Sequence, residues 1–209
     1  MAEDIPCLRD SIIRRPEGGG LRSCVLSEDA LIQGIMFKAG SVVGFDEAGR
    51  LWRCNLSADT CINCIPCAAK SEIEFSSEGK LLVCTVAGEI KVQGIPVMPG
   101  TLLLFHENGT LFKCDIQKGM SINGFPVEEA TDICFFDDRR PSAFVLAEDV
   151  VIAGVPCAGR SRVWLHKNGA VRACTSASDF DGNGLSRKKG ELLVFDEEGN
   201  PVGYGLGYG

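Results

Sequence analysis

Histidine is scarce in this sequence, basic clusters are scarcer, and long apolar runs are missing. The 209 residues hold two histidines and 21 basic against 28 acidic side chains, for a formal charge of −7. With no cationic run longer than the three residues Arg187-Lys188-Lys189, and only pairs such as Arg139-Arg140 elsewhere, the chain offers no electrostatic footprint for phosphate backbones or anionic lipid. No stretch approaches the ~18 apolar residues of a membrane helix. The opening MAEDIPCLRDSIIRRPEGGG lacks a basic segment followed by an apolar one, so secretion is not indicated either. Nucleic acid and membrane are therefore not expected as partners, and the expected location is cytoplasmic. Helical periodicity is also wanting; the one candidate, Ile5 to Arg15, reads better as a degenerate repeat. There is no G-x-S-x-G, no H-E-x-x-H and no phosphate-binding glycine loop, which leaves an enzyme without its usual signatures.

Cysteine, by contrast, is abundant. Five of the eleven, Cys24, Cys54, Cys84, Cys114 and Cys174, fall thirty residues apart, with Phe144 in the one vacant place. Cutting at that period gives six full repeats, 21–50, 51–80, 81–110, 111–140, 141–170 and 171–200, with no insertion. Residues 1–20 form a partial repeat in which Ile5-Pro6-Cys7 is in phase with Ile65-Pro66-Cys67 and Val155-Pro156-Cys157. Residues 201–209 supply a closing strand, with Tyr204 in the cysteine slot and Leu206 in phase with Leu26. The expectation is one repeat domain over 1–209. An odd cysteine count in a chain of this size argues for reduced thiols.

Each slot has a mechanical reading. Val43/Phe45, Ile73/Phe75, Leu103/Phe105, Ile133/Phe135, Val163/Leu165 and Leu193/Phe195 have the period-two spacing of a strand with one buried face. Turns such as DEAG, SSEG and HENG follow, ending on a glycine suited to a type I turn with a G1 bulge. The chain returns through L-x-x-C-x-L, completing a β-hairpin. Between hairpins, VQGIP or INGFP reads as a short strand or edge corner, its Gln33, Asn63, Gln93, Asn123 or Asn183 amide capping the bend. The expected fold is all-β, with seven tandem hairpins closed into a ring, barrel or small-bladed propeller rather than left as an open single-layer sheet, because closure removes exposed edges. Neighbouring cysteines of the column would then stand two strands, ~9.6 Å, apart. That exceeds the ~7 Å reach of a disulfide, so bridges within the column are excluded.

The F-x-x-x-G-x-L hairpin, as in Phe45–Leu51 and Phe105–Leu111, resembles the tandem hairpins of MORN-like repeat families. The resemblance spans most of the chain and implies scaffolding and protein contact rather than catalysis. The cysteine slot and the I-x-G-I-P element depart from that pattern, and the aromatic-Gly-Trp element is missing.

Candidate chemistry is confined to a few places. CINCIPC offers Cys61, Cys64 and Cys67 as soft ligands, although Cys67 is a repeat residue and a fourth ligand is wanting. DFDGNG offers Asp179, Asp181 and Asn183 with the oxygen spacing of a calcium loop. No cofactor is expected. His106 and His166 share the first turn position with Asp46 and Asp196, on one rim where an active site would have to be built. Val42, Leu102, Leu104, Trp164, Leu192 and Val194 are apolar at outward strand positions. Either a second layer of I-x-G-I-P segments covers them, or they are an exposed interaction surface. The leading expectation is a non-enzymatic binding or scaffold module for a protein partner or small apolar ligand, with a homo-oligomer as a further option and Trp52, Trp164, Leu102 and Leu104 at the contact. The alternative is a cyclase- or lyase-like enzyme, or a small-molecule binder, with its site in a cavity or on a rim.

Overall fold

The computed structural model describes residues 5–14, 20–115, 121–182 and 184–202. It is all-β, with the single exception of a 3₁₀ turn, Arg9–Ser11, where the sequence held its only helix candidate. The chain divides into two compact units, Met1–Leu111 and Phe112–Gly209. In the first, the strands Ile13–Arg14, Leu21–Val25, Val42–Phe45, Leu51–Asn55, Glu72–Phe75, Leu81–Thr85 and Leu102–Phe105 pair antiparallel in that order. In the second, Leu111–Asp115, Asp132–Phe135, Pro141–Val145, Arg162–Leu165, Val171–Thr175 and Leu192–Val194 do the same.

The predicted hairpin turn forms as read. Asp46 N–H donates to the Arg50 carbonyl at 2.8 Å and Gly49 N–H to the Asp46 carbonyl at 3.0 Å, with Gly49 at φ 75°. The left-handed residue is what closes a type I turn onto a bulged strand. The fourth hairpin puts Arg139 there instead, at φ 72°.

The segment between long hairpins is more than a corner. Ala30–Ile32 with Ile35–Phe37, Thr60–Ile62 with Ile65–Cys67, and their counterparts are small hairpins whose strands pair with one another, some reaching the long strands through a single bridge such as Cys67–Val86. Gln33 and Gly34, at φ 49° and 84°, make the two-residue turn of the primed type, which needs positive φ twice. The recurrent amide has a different task from the one expected. Gln33 Nε2 donates to the Gly49 carbonyl and its Oε1 accepts from Leu51 N–H, and Gln93 does the same for Gly109 and Leu111. The side chain thus ties the small turn to the neighbouring long turn, satisfying backbone groups there.

Small hairpins lie on the inner face of the long strands. Cys24, Val43, Phe45, Cys54, Ile73 and Leu103 from the strands, and Ile32, Phe37, Ile62, Cys67 and Val97 from the small hairpins, are all buried. Phe125 of a small hairpin stacks on Phe144 of a long strand with ring centroids 6.3 Å apart. The layer is therefore on the face opposite to Val42, Leu102 and Trp164, and the expectation that it covers those residues is wrong: they are exposed.

Closure is not found. Among the described residues each row of strands is linear, with no closed barrel and no propeller blade. A blade would need the small strands hydrogen-bonded to the long ones edge to edge, whereas here they lie across them. The tail bearing Tyr204, on which closure rested, lies outside the described residues; Val202 N–H still reaches the Val194 carbonyl at 3.0 Å, as an opening strand should. No helix among the described residues is long and apolar enough to cross a membrane.

Two substitutions test this backbone account. Arg139→Gly relieves a left-handed residue and should stabilise by about 1 kcal/mol, read as a higher urea midpoint. Gly159→Ala should destabilise by about 1–3 kcal/mol, because its Cβ would stand 2.5 Å from Glu148 Cα, a backbone atom with nowhere to go.

Candidate binding face

The returning strand of each long hairpin starts with a bulge. Phe45 pairs with Leu51 and Gly44 with Arg53, so Trp52 is the extra residue. A bulge turns its residue toward the solvent side while its neighbours Leu51 and Cys54 stay inside. The slot recurs as Leu82, Phe112, Arg172 and Val202, and Trp52, Phe112 and Val202 are all exposed, at 45%, 38% and 48%.

Trp52 lies beside Gly44, the one glycine among outward slots filled elsewhere by Glu74, Leu104, Cys134, Trp164 and Val194. A Cβ on Gly44 would come within 3.2 Å of Trp52 Nε1, so the missing side chain is what makes room for the indole. Arg53 places its guanidinium 5.5 Å from the indole centroid and pairs with Glu72 and Glu74 on the next strand. Such exposed pairs contribute little stability, at most about 1 kcal/mol, but they orient the guanidinium. Between Trp52, Val42, Ile13, Arg22 and Glu72 runs an open groove of about 650 Å³. Its floor is apolar and its margin charged.

The second unit repeats the theme with different residues. Trp164 is exposed between Ala143 and Ala173, small cross-strand neighbours that leave its face clear. Asp132 accepts from Arg162 at 2.5 Å and lies 3.3 Å from Lys113 Nζ, a three-strand ladder of charge. Burial works to raise the Asp132 pKa, but the Arg162 and Lys113 contacts outweigh it and hold the carboxyl below its ordinary value. Of the residues named from sequence, Trp52 lines the groove, Trp164 and Leu102 are exposed on outward faces, and Leu104 is half-buried. Arg22, Arg53 and Gly44 escaped notice, although a glycine in an otherwise side-chain-bearing strand slot is a readable signal.

The rim residues serve the turns. Asp46 Oδ1 accepts from Ala48 and Arg50 N–H, Asp196 Oδ1 from Glu198 and Asn200 N–H, and Ser76 Oγ from Glu78 and Lys80 N–H. His166 Nε2–H donates to the Phe195 carbonyl at 2.9 Å, one hairpin on. His106 occupies the same turn position. Neither His106, His166, Asp46 nor Asp196 lines the groove at Trp52 or the smaller one of about 290 Å³ beside Cys64.

The metal candidates do not converge either. Cys61 and Cys64 are exposed while Cys67 is buried on the opposite side of its small hairpin. Asp179 is bonded to Lys188 Nζ and Lys189 N–H, as Asp29 is to Lys38 Nζ and Ala39 N–H: a loop clamp, repeated. Asp181 is exposed and Asn183 lies outside the described residues. Among the described residues no group of three His, Cys, Asp or Glu side chains is placed to hold a metal. Burial pushes the Cys54 and Cys114 thiols up to about 12, which makes these two packing material rather than nucleophiles.

No protein-family model matches this chain, and no curated protein matches it.

The turn carboxylates set the acid response. The hydrogen bond from Arg140 holds Asp138 down to about 2 against an ordinary 3.8. A lowered carboxyl stabilises the fold above its unfolded value and loses that contribution as pH falls through the folded value. The urea midpoint should therefore fall between pH 3.8 and about pH 2. Asp138→Asn should flatten that part of the profile; an unchanged slope would refute the assignment.

Proposed function

We propose that this protein is a non-enzymatic binding or scaffold module whose outward sheet face, centred in the first unit on the Trp52 groove, receives an apolar segment of a protein partner. The carrying observation is the exposure of both tryptophans of the chain, one in each unit, on sheet faces with small neighbours. Trp and Arg together on an open surface are the side chains that anchor protein interfaces. Catalysis is less well supported, because the rim histidines and acids stand at turn positions and neither groove gathers them. Scaffolding is also what the likeness to MORN-like hairpins implies.

The test is affinity capture with the full chain, comparing wild type, Trp52→Ala and the double variant His106→Ala/His166→Ala. A partner held by wild type should bind at least tenfold more weakly to Trp52→Ala, about 1.4 kcal/mol or more, and normally to the double variant. Equal binding by Trp52→Ala, or loss only in the histidine variant, would move the site to the rim. Both indoles should emit as water-exposed fluorophores in the free protein, and partner binding should shift the emission to the blue.

A further inference from the structure

One disulfide is present, and it runs between the layers. Cys7 of the first small segment bonds to Cys24 of the column, with Cα atoms 5.8 Å apart and a sequence separation of 17. This corrects the expectation of wholly reduced thiols, while respecting the exclusion of bridges within the column.

Two other cysteine pairs occupy the same places. Cys67 and Cys84, and Cys157 and Cys174, are also 17 apart. The backbone frames coincide bond by bond. Cys7 bridges Leu26, with Leu8 N–H on the Val25 carbonyl and Ser27 N–H on the Pro6 carbonyl. Cys67 bridges Val86, with Ala68 N–H on Thr85 and Ala87 N–H on Pro66; Cys157 bridges Ser176, with Ala158 N–H on Thr175 and Ala177 N–H on Pro156. In each case the column cysteine is the diagonal same-face neighbour of the small-hairpin cysteine. The frame places the bonded pair at 5.8 Å, within the Cα separation that disulfides require. The thiols of each unbonded pair interact electrostatically, all four cysteines are buried, and Cys67 Sγ–H donates to the Ile65 carbonyl at 3.5 Å.

Every small-hairpin cysteine at this slot faces a column cysteine. Three of the slots that lack sulfur hold a buried apolar residue, Phe37 opposite Cys54, Val97 opposite Cys114 and Val127 opposite Phe144, and the last holds Arg187.

We propose that Cys67–Cys84 and Cys157–Cys174 are oxidation sites that form two further interlayer disulfides, one in each unit, equivalent to Cys7–Cys24. The oxidant is of the disulfide class, for instance glutathione disulfide. One thiolate of the pair attacks a glutathione sulfur and expels one glutathione thiolate. The second protein thiolate then attacks the protein-side sulfur of that mixed disulfide and expels the other. Each pair thus loses two protons and two electrons, and the oxidant becomes two glutathione thiols. The bridges pin small hairpins to the long strands, so the second layer is fixed covalently under oxidising conditions and by packing alone under reducing ones.

The full chain is unfolded with reductant, refolded in parallel in glutathione disulfide and in reduced glutathione, and mapped by alkylation and peptide mass analysis. Oxidised protein should yield linked peptides Cys67–Cys84 and Cys157–Cys174, each about 2 Da lighter than its reduced pair. Of the nine cysteines outside Cys7–Cys24, the four of these pairs should escape alkylation, leaving five that react. The oxidised form should unfold at a higher urea midpoint, and Cys54→Ala with Cys114→Ala should leave the map unchanged. Recovery of Cys7–Cys24 alone, or linkage of Cys67 to Cys54, whose thiol also feels its charge, would overturn the proposal.

Discussion

A pair of backbone hydrogen bonds holds the inner layer to the long strands at four small-hairpin ends, those of Cys7, Cys67, Val127 and Cys157. There the residue after the small hairpin donates to a long strand, and the residue beyond that strand donates back to the proline carbonyl, as with Ala68 to Thr85 and Ala87 to Pro66. At Phe37, where Met36 stands in place of the proline, Ser57 N–H goes to Ser41 Oγ instead. Proline suits the site because only its carbonyl is asked for. Once that clasp is made, the small-hairpin cysteine or valine is committed to the inner face. Without it the long strands would be a single layer with two wet faces, which is marginal in water.

The clasp also explains why sulfur is so common here. Beneath the clasp stand Cys67, Val127 and Cys157, all buried against the long strands. Where such a residue and the column residue opposite are both cysteine, packing and bonding become alternatives at the same atoms. Buried thiols such as Cys54 and Cys114, whose pKa values burial raises, make poor sites for casual chemistry.

Because the inner face takes all the packing, the outward face is left to vary. Its residues alternate between charge ladders, such as Lys113–Asp132–Arg162, and exposed apolar side chains, such as Trp52 and Leu102. A repeat array makes such a surface cheaply, since a change at an outward slot leaves the clasp and the core untouched. The turns are spoken for by their own hydrogen bonds, which is why carboxylates and histidines on the rim look like a site in sequence and behave as caps in space.

How much of this was legible in advance follows from the range of the forces involved. The period, the long hairpins, their type I turns and the buried cysteine column are all set by local alternation and by glycine at a left-handed position, and the sequence alone determined them. The small hairpins were only half legible: Gln33-Gly34 carries the turn, but whether its strands join the sheet edge or lie across it depends on contacts with residues up to twenty positions away. The side chosen by that layer, the exposure of Trp52 beside Gly44, the linear rather than closed order of strands, and the 17-residue pairing of Cys7 with Cys24 were decided by tertiary structure. Each turns on which face of a two-faced sheet is covered, and a period-two pattern marks one face as apolar without saying what will cover it.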